Sequence, residues 1–375
     1  MRKRLLFVIN DAGFFVSHRL PVAQAARDNG FEVHVASAAG NAATIIESNG
    51  ITHHPIDLSR SGINPWRELL AFIEISRLMR RLRPTLVHLV TPKPVLYGSI
   101  AARLVGIPAV AAVAGLGHVF AAHDWRTRIV RVLVTIAYRV AFGGSELRVI
   151  FQNPSDRDVL ARVGAITHEK IIMLRGSGVD LDEYPRLPEP DGIPVVIFAA
   201  RLLKAKGVYE FVAAAELLRA RGVVARFLLV GEADPGNPAS VMHDEIVRWH
   251  AQGVVEVLGH RRDIAKLFSA SNLVVLPSYY GEGLPKVLVE AAACGRAVVT
   301  TDMPGCRDAI EPGKTGVLVP PRNAMALAAA VLELLTDHDR RHSMGIAARA
   351  LAEREYAIER IVAEHLQIYD GLIHG

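Results

Sequence analysis

Apolar runs of strand length alternate with longer amphipathic runs along most of the chain. This alternation predicts parallel β-sheets wrapped by helices, which is an α/β architecture. Helices are predicted between the strands, for example at 20–29 and 66–82, where apolar residues recur at helical spacing. The predicted strands of the first half are 5–9, 32–36, 86–90, 109–114 and 148–152.

Residues 184–192 contain three prolines and a glycine and read as a linker. After it the strand pattern restarts, and a last amphipathic helix is predicted at 358–373. We therefore predict two doubly wound units in tandem, 1–183 and 184–357, with ligands at the carboxyl ends of their strands, in a cleft between the units. The strands predicted in the second half are 194–199, 225–230, 254–258, 273–277, 297–301 and 316–319.

Two apolar stretches could suggest membrane insertion. The N-terminal run ends at Asn10 and Asp11, too early for a signal-peptide core, so it is interpreted as the first strand. Residues 105–122 are interrupted by Pro108, glycines and His118, and we interpret them as a buried strand followed by a loop. The chain has two cysteines, too few for a disulfide framework or a four-thiolate zinc site, and this favours a reducing compartment.

The net charge of +5 is unevenly distributed. Residues 1–183 hold 22 Lys and Arg against 15 Asp and Glu, whereas the rest of the chain holds 21 against 23. Between residues 60 and 139 the count is 12 against 3. A basic half beside a near-neutral half indicates an anionic surface as a partner.

The strongest local motif is the segment 280–291, which follows a predicted strand. Glu282 lies between two glycines and can approach a ligand closely, while Gly283 and Leu284 are predicted to offer backbone N–H groups at a helix N-terminus that attracts phosphate. Glu290 lies in an apolar helix, where a carboxylate usually has a partner. The alternative interpretation is a solvated acidic loop with Glu290 on a helix surface.

A second candidate cluster follows the first strand of the second unit. Arg201 and Lys206 lie five residues apart in this loop. Two cations at a strand end can neutralise a diphosphate, as a departing nucleoside diphosphate requires. Solvated loop charges are the alternative.

These segments together resemble the family 4 retaining glycosyltransferases of GT-B fold. The pair Arg201 and Lys206 is followed by a Glu, seven residues and a second Glu, and the resemblance spans the whole chain. The first loop, 10–21, lacks a double glycine and is similar to the subgroup that extends undecaprenyl-diphosphate-linked sugars. Three further segments match the family in order and spacing, namely 176–180, 259–264 and 312–316.

The resemblance implies a role for each matching residue. Arg201 and Lys206 would bind the donor diphosphate, Glu290 the ribose hydroxyls, and Glu282 would lie beside the donor sugar. Gly283 and Leu284 would offer N–H groups to the sugar or the phosphates. From the first domain, Gly13, in the loop after the first strand, would approach the diphosphate, and His118 would face the donor sugar. Also implied are His18 and Arg19 facing an acceptor diphosphate, and a terminal helix, 358–375, crossing back to the first domain.

The implied reaction is glycosyl transfer with retention of configuration, from a UDP-sugar carrying an N-acetylhexosamine or hexose to a lipid-linked saccharide in surface polysaccharide or glycan biosynthesis. We expect no cofactor and no metal, since Arg201 and Lys206 would stabilise the leaving diphosphate. The two Asp-x-Asp matches, 156–158 and 180–182, are interpreted as helix-start or turn carboxylates.

The basic half fits the same interpretation. Two basic amphipathic stretches suit the anionic inner face of the cytoplasmic membrane, with solvated helix faces as the alternative. Nucleic acid is disfavoured because the region has no helix-turn-helix signal. The arginines of the two basic stretches are Arg67, Arg77, Arg80, Arg81, Arg83, Arg126, Arg128, Arg131 and Arg139.

Three other functions are considered as alternatives. They are a GT-B sugar-nucleotide 2-epimerase, a two-domain Rossmann oxidoreductase and a non-catalytic sugar-binding protein. The oxidoreductase is disfavoured because the sequence Gly-x-Gly-x-x-Gly is absent after the first strand.

Overall fold

The computed structural model describes residues 3–58, 65–116, 125–234 and 237–374. The chain divides into two compact units. The first unit comprises Met1–Ser177 and Ile358–Gly375, and the second comprises Gly178–Ala357. In the described part of the chain, no helix is both long and apolar enough to cross a membrane.

The first unit is a parallel sheet of seven strands in the order β3-β2-β1-β4-β5-β6-β7. Its central strands are buried on both faces, and for this reason β4 and β5 consist almost entirely of apolar residues. The strands are β1 (Lys3–Val8), β2 (Phe31–Ser37), β3 (Thr52–Pro55), β4 (Leu86–Val90), β5 (Ala109–Val113), β6 (Leu147–Phe151) and β7 (Ile171–Met173).

Helices cover the sheet of the first unit. Two hydrophobic clusters, one on each face of the sheet, form its core. The helices are α1 (Ala12–His18), α2 (Leu20–Asp28), α3 (Ala43–Ser48), α4 (Pro65–Leu82), α5 (Pro92–Val105), α6 (Trp125–Ala141), α7 (Pro154–Arg162) and the C-terminal α14 (Ile358–His374). Helix α14 packs on α2 and β4, and its residues Ile361, Tyr369 and Leu372 are buried in this core.

The second unit is a parallel sheet of six strands in the order β10-β9-β8-β11-β12-β13. Its strands are β8 (Val195–Ala199), β9 (Arg226–Val230), β10 (Glu256–Gly259), β11 (Leu273–Leu276), β12 (Ala297–Thr301) and β13 (Gly316–Val319). Its helices are α8 (Val208–Ala220), α9 (His243–Ala251), α10 (Ile264–Ser269), α11 (Lys286–Ala293), α12 (Ala324–Thr336) and α13 (His338–Leu351). A single hydrophobic cluster fills this unit.

The boundary between the units lies six residues before the predicted one. We predicted it after residue 183, at the start of the proline-rich linker, whereas the structure assigns residues 178–183 to the second unit. The reason is packing: Val179 is buried in the core of the second unit and its N–H donates to the carbonyl of Tyr356 at 2.8 Å. The proline-rich segment also belongs to the second unit, where Arg296 donates to the carbonyls of Leu187 and Pro188.

Candidate active site

The second unit has a topological switch point between β8 and β11. The sheet extends from β8 through β9 to β10 on one side and from β11 through β12 to β13 on the other, so the loops after β8 and β11 leave in opposite directions. Ligands of doubly wound sheets bind outside the carboxyl ends of the strands at such a point. Arg201 and Lys206 follow β8, and Glu282 follows β11. Three predicted site residues thus lie on the two loops that flank this position.

A salt bridge joins these two loops. The Nζ of Lys206 donates to Oε2 of Glu282 at 2.6 Å, and the two side chains are only 20% and 13% exposed. Gly207 lets the loops come this close, because a Cβ at that position would lie 2.2 Å from the carbonyl oxygen of Pro277, and because its φ of 80° suits glycine. A largely shielded ammonium–carboxylate pair therefore lies at the switch point.

The loop that carries Glu282 is supported by the segment after β12. The N–H of Glu282 donates to the carbonyl of Pro304 at 3.3 Å. A Cβ at Gly305 would lie 2.4 Å from the carbonyl oxygen of Glu282, and its φ is 82°, so only glycine fits there. Burial raises the pKa of the nearby Cys306 thiol to about 12, with the charge of Glu282 acting in the same direction. Cys306 is thus an inert packing residue beneath the loop.

Glu290 lies on α11, the helix that follows the Glu282 loop, and only 7% of it is exposed. Its Oε1 accepts a hydrogen bond from the Tyr184 hydroxyl at 2.9 Å and pairs with Lys286 Nζ at 3.2 Å. Among the described residues, both polar contacts of the Glu290 carboxylate are thus made to Oε1. Burial raises the pKa of Glu290, while Lys286 and Tyr184 oppose that rise. The prediction that this carboxylate has a partner is confirmed.

The other predicted residues of this unit differ in their surroundings. The side chain of Arg201 is 60% exposed and pairs with Asp234 at 3.3 Å, so the structure joins Lys206, and not Arg201, to Glu282. Gly283 and Leu284 are buried directly before Pro285, which caps the N-terminus of α11. Their backbone therefore lies at the predicted helix start.

The site residues predicted in the first unit include one in the first turn of a helix, one outside the described residues and one that is buried. Gly13 is not in a loop but in the first turn of α1, because the Asp11 side chain accepts the N–H of Phe14 at 2.6 Å and starts a helix there. His118 lies outside the described residues. Arg19 is 1% exposed, and this burial corrects the expectation that it presents its charge to an acceptor.

The two Asp-x-Asp sequences have the structural roles that we predicted. Asp156 lies in the first turn of α7, where its N–H donates to Oδ1 of Asn153 at 2.8 Å. Oδ1 of Asp180 accepts the N–H groups of Asp182 and Glu183 and closes a turn. Among the described residues, no group of three or more His, Cys, Asp or Glu side chains is arranged to hold a metal ion.

Sequence reasoning missed Tyr184, Gly207 and Gly305. Tyr184 belongs to the segment that we interpreted as a linker, and nothing in its neighbourhood along the chain indicates a partner 106 residues away. Gly207 could have been found, since it follows the Arg201 and Lys206 loop directly and glycine there is typical of a tight turn before a helix.

Comparison with known proteins assigns each half of the chain. The model for "Glycosyl transferase 4-like" matches residues 4–146, and the model for "Glycosyl transferases group 1" matches residues 182–351. A relative from Campylobacter jejuni, the N,N'-diacetylbacillosaminyl-diphospho-undecaprenol alpha-1,3-N-acetylgalactosaminyltransferase, is 29% identical over 97% of this chain and 98% of its own. These matches give no support to the epimerase and oxidoreductase alternatives.

Solved structures agree on the fold. A glycosyltransferase from Rickettsia africae has a TM-score of 0.79 at 18% identity, covering 100% of this chain and 99% of its own. Anabaena HepE, solved in complex with UDP, has a TM-score of 0.76 at 21% identity, covering 98% and 100%. The predicted fold class, α/β of the GT-B type with two Rossmann-like domains, is confirmed. The chain is therefore a glycosyltransferase that belongs, in its first unit, with the glycosyl transferase 4-like domains and, in its second, with the group 1 glycosyl transferases.

Proposed function

We propose that this glycosyltransferase moves one sugar, an N-acetylhexosamine or a hexose, from a UDP-sugar to a lipid-linked saccharide, with retention of configuration. The observation that carries the donor half of the proposal is the Lys206–Glu282 pair at the switch point of the second unit, with Glu290 on the next helix. The acceptor half is supported by the Campylobacter jejuni relative, whose name specifies a diphospho-undecaprenol-linked saccharide. The product would belong to a bacterial surface polysaccharide or glycan.

In this proposal each donor-site group has one task. Lys206 and Arg201 bind the diphosphate and stabilise the charge that develops on it as the sugar leaves. Gly283 and Leu284 contribute backbone N–H groups at the start of α11, where the helix dipole favours negative charge. Glu290 accepts hydrogen bonds from the ribose hydroxyls. Glu282 lies beside the donor sugar and holds Lys206 in place until the donor arrives.

The proposed reaction keeps the acceptor and the leaving group on one face of the sugar. The acceptor oxygen attacks the anomeric carbon, the bond to the diphosphate breaks, and the diphosphate oxygen takes the acceptor's proton. The protein supplies electrostatic stabilisation and positioning. Because Lys206 and Arg201 bear the cationic charge in this scheme, we expect transfer to persist in EDTA. From the first unit, Gly13 and His118 remain our candidates for contacts to the donor.

The proposal includes attachment to the anionic inner face of the cytoplasmic membrane. Helices α4 and α6 both pack on α5, and each exposes large apolar side chains beside arginines. Such a surface combines apolar insertion with attraction to anionic lipid, each cation contributing roughly 1 kcal/mol near the surface. The exposed apolar residues are Trp66, Leu69, Leu70, Val132, Leu133, Ile136 and Val140, and the exposed arginines with described side chains include Arg67, Arg77, Arg80, Arg81 and Arg139.

The test of the donor site is Glu282→Gln. We expect kcat for sugar transfer to fall by about 100- to 1,000-fold, as when one preorganised electrostatic contact is lost, with little change in Tm. Glu256→Gln is the matched control, because Glu256 also pairs with a basic side chain, Arg226, at 2.7 Å in the same unit. Wild-type transfer by Glu282→Gln would end the proposed role. Purified enzyme with UDP- and GDP-sugars, with and without EDTA, tests the base and the metal expectation.

The test of the membrane surface is co-sedimentation with vesicles. Wild-type protein should bind vesicles containing phosphatidylglycerol more tightly than phosphatidylcholine vesicles, and added salt should weaken the binding. Replacing Leu133 and Ile136 with serine should weaken it further, whereas Val224→Ser, at an exposed position of the second unit, should not. Equal binding to both vesicle types, or no effect of the double variant, would contradict this surface.

A further inference from the structure

The segment that enters the second unit is fixed firmly before it reaches Tyr184. The Asp180 side chain accepts the N–H groups of Asp182 and Glu183 at 2.9 and 3.1 Å, and the N–H of Tyr184 donates to the Asp180 carbonyl at 3.1 Å. This turn brings the Tyr184 ring into the core of the unit, where it is 7% exposed. Its side chain thus has a defined direction before any ligand binds.

The same segment is tied to the end of α11 by Arg349. One guanidinium nitrogen of Arg349 donates to the carbonyl of Tyr184 at 2.9 Å and to the carbonyl of Ala293 at 2.8 Å. Ala293 is the last residue of α11, the helix that carries Glu290. The backbone of Tyr184 and the helix of Glu290 are therefore held together independently of the Tyr184 hydroxyl.

The hydroxyl of Tyr184 and the ammonium of Lys286 both reach the same oxygen of Glu290. Their distances to Oε1 are 2.9 and 3.2 Å, and among the described residues neither donor is bonded to Oε2. A carboxylate on a helix can otherwise rotate about its last side-chain torsion, which has a broad, roughly two-fold profile. Two donors on one oxygen select one orientation and leave the other oxygen to accept hydrogen bonds.

We propose that Tyr184 is a positioning residue that orients the Glu290 carboxylate so that Oε2 accepts the ribose hydroxyls of the donor. This inference rests on the proposed role of Glu290 in binding the donor and adds the residue that prepares it. Tyr184 reaches the donor only through Glu290. The effect of removing its hydroxyl should therefore be on donor binding and on the protonation of Glu290, more than on the rate of the bound complex.

The first measurement is UDP binding to Tyr184→Phe, which keeps the buried ring and removes only the hydroxyl. We expect UDP affinity to fall about tenfold, as for the loss of a hydrogen bond to a charged group, and KM for the donor to rise more than kcat falls. Tyr209→Phe is the matched control, because its hydroxyl also donates to a carboxylate of the same unit, that of Glu245, at 2.7 Å.

The second measurement is the pH dependence of UDP affinity. Ionised Glu290 accepts the ribose hydroxyls in charge-assisted hydrogen bonds, which are stronger than those a protonated carboxyl accepts, and burial already raises its pKa. The groups that act on its charge are Lys286 and Tyr184, which favour ionisation, and Glu183, which opposes it; Cys294 at the helix end has its own pKa raised, to about 11, mainly by burial. In Tyr184→Phe the acid limb of UDP binding should move to higher pH, a change that loss of packing alone does not produce. Lys286→Met should move it in the same direction.

Glu290→Gln separates the inference from the proposal beneath it. If Glu290→Gln weakens UDP binding about 100-fold or more while Tyr184→Phe keeps wild-type affinity and an unchanged acid limb, the positioning role is wrong and the ribose role stands. If Glu290→Gln binds UDP as the wild type does, both are wrong. If Tyr184→Phe lowers Tm strongly, UDP binding by Lys286→Met tests the orientation of the Glu290 carboxylate instead. The Lys286 side chain is partly exposed, so its loss leaves no cavity in the core.

Discussion

Two buried tyrosine hydroxyls, one in each unit, make hydrogen bonds of similar kind in different surroundings. In the first unit, Tyr369 of α14 is hydrogen-bonded to Nδ1 of His88 on β4 at 2.6 Å. In the second unit, Tyr184 donates to Glu290 at 2.9 Å. Each bond joins segments more than 100 residues apart in the chain. The difference lies in what surrounds the partner of each hydroxyl.

The histidine that is hydrogen-bonded to Tyr369 is enclosed by protein on all sides. His88 and His365 are fully buried, Phe7 stacks on His88 with ring centroids 5.0 Å apart, and Arg19 lies within electrostatic reach. Burial lowers the pKa of His365 to about 3 and that of His88 well below its usual range, so both rings are neutral at physiological pH. In the described part of the chain, Nε2 of each ring and Nε of Arg19 have no hydrogen-bond partner.

The acceptor of Tyr184, in contrast, is a carboxylate whose two contacts are both made to Oε1, and in our proposal Oε2 binds the donor. Its neighbours carry compensating charge, Lys286 beside Glu290 and Lys206 beside Glu282. The comparison teaches that burial of a tyrosine hydroxyl does not reveal its use. A hydroxyl within a closed cluster of neutral rings stabilises the fold, here by holding the C-terminal helix, whereas in our proposal a hydroxyl on a buried carboxylate prepares a site.

The largest effect is expected when the Lys206–Glu282 pair of the second unit is broken. Lys206→Ala should lower kcat/KM for sugar transfer by about 100- to 1,000-fold, because the leaving diphosphate loses its shielded cation. Lys204→Ala is the control, since Lys204 lies with Lys206 in the 3₁₀ turn Lys204–Lys206 but is exposed. Steady-state kinetics of both variants give the two values of kcat/KM to compare. Equal loss in the two variants would mean that general positive charge, and not the Lys206–Glu282 geometry, is what counts.

The second prediction concerns Tyr369, the tyrosine whose hydroxyl we expect to stabilise the fold. Tyr369→Phe should lower the free energy of unfolding by about 1 to 3 kcal/mol, because His88 Nδ1 would remain buried without a partner. UDP affinity should stay at the wild-type value. Tyr184→Phe should show the opposite pattern, a weak effect on unfolding and a clear one on UDP binding. Thermal unfolding and UDP titration of both variants measure this, and identical patterns would remove the distinction between the two hydroxyls.

The smallest effect concerns acid stability. In the folded state His365 stays neutral down to a pKa of about 3, while in the unfolded chain it takes up a proton near pH 6.5. The unfolded state thus binds more protons below pH 6.5, and stability falls as pH falls, by about 1.4 kcal/mol at pH 5.5 for this histidine. The difference in Tm between pH 7.5 and pH 5.5 should therefore shrink in His365→Phe. An unchanged difference would show that His365 is protonated in the folded protein.

Most strands of the two sheets were predictable because they are buried on both faces and are therefore apolar. The predicted strands at 86–90, 297–301 and 316–319 agree with the structure at both ends. Strands β3 and β7 were missed, because β3 reads Thr-His-His-Pro at a sheet edge and β7 is three residues long at the other edge. The sequence of β3 contains no apolar run, and β7, although apolar, is shorter than the runs that predict a strand.

The sequence by itself determined the alternation of strands and helices, the restart of the pattern in the second half, and the spacing of Arg201, Lys206, Glu282 and Glu290, because these depend on neighbours along the chain. Only the tertiary structure decided that Lys206 pairs with Glu282, that Gly305 supports the Glu282 loop, and that Tyr184 reaches Glu290. It also decided that Arg19 is enclosed. These outcomes depend on contacts between residues far apart in the chain, whose distances follow from how the sheets and helices pack and not from local pattern.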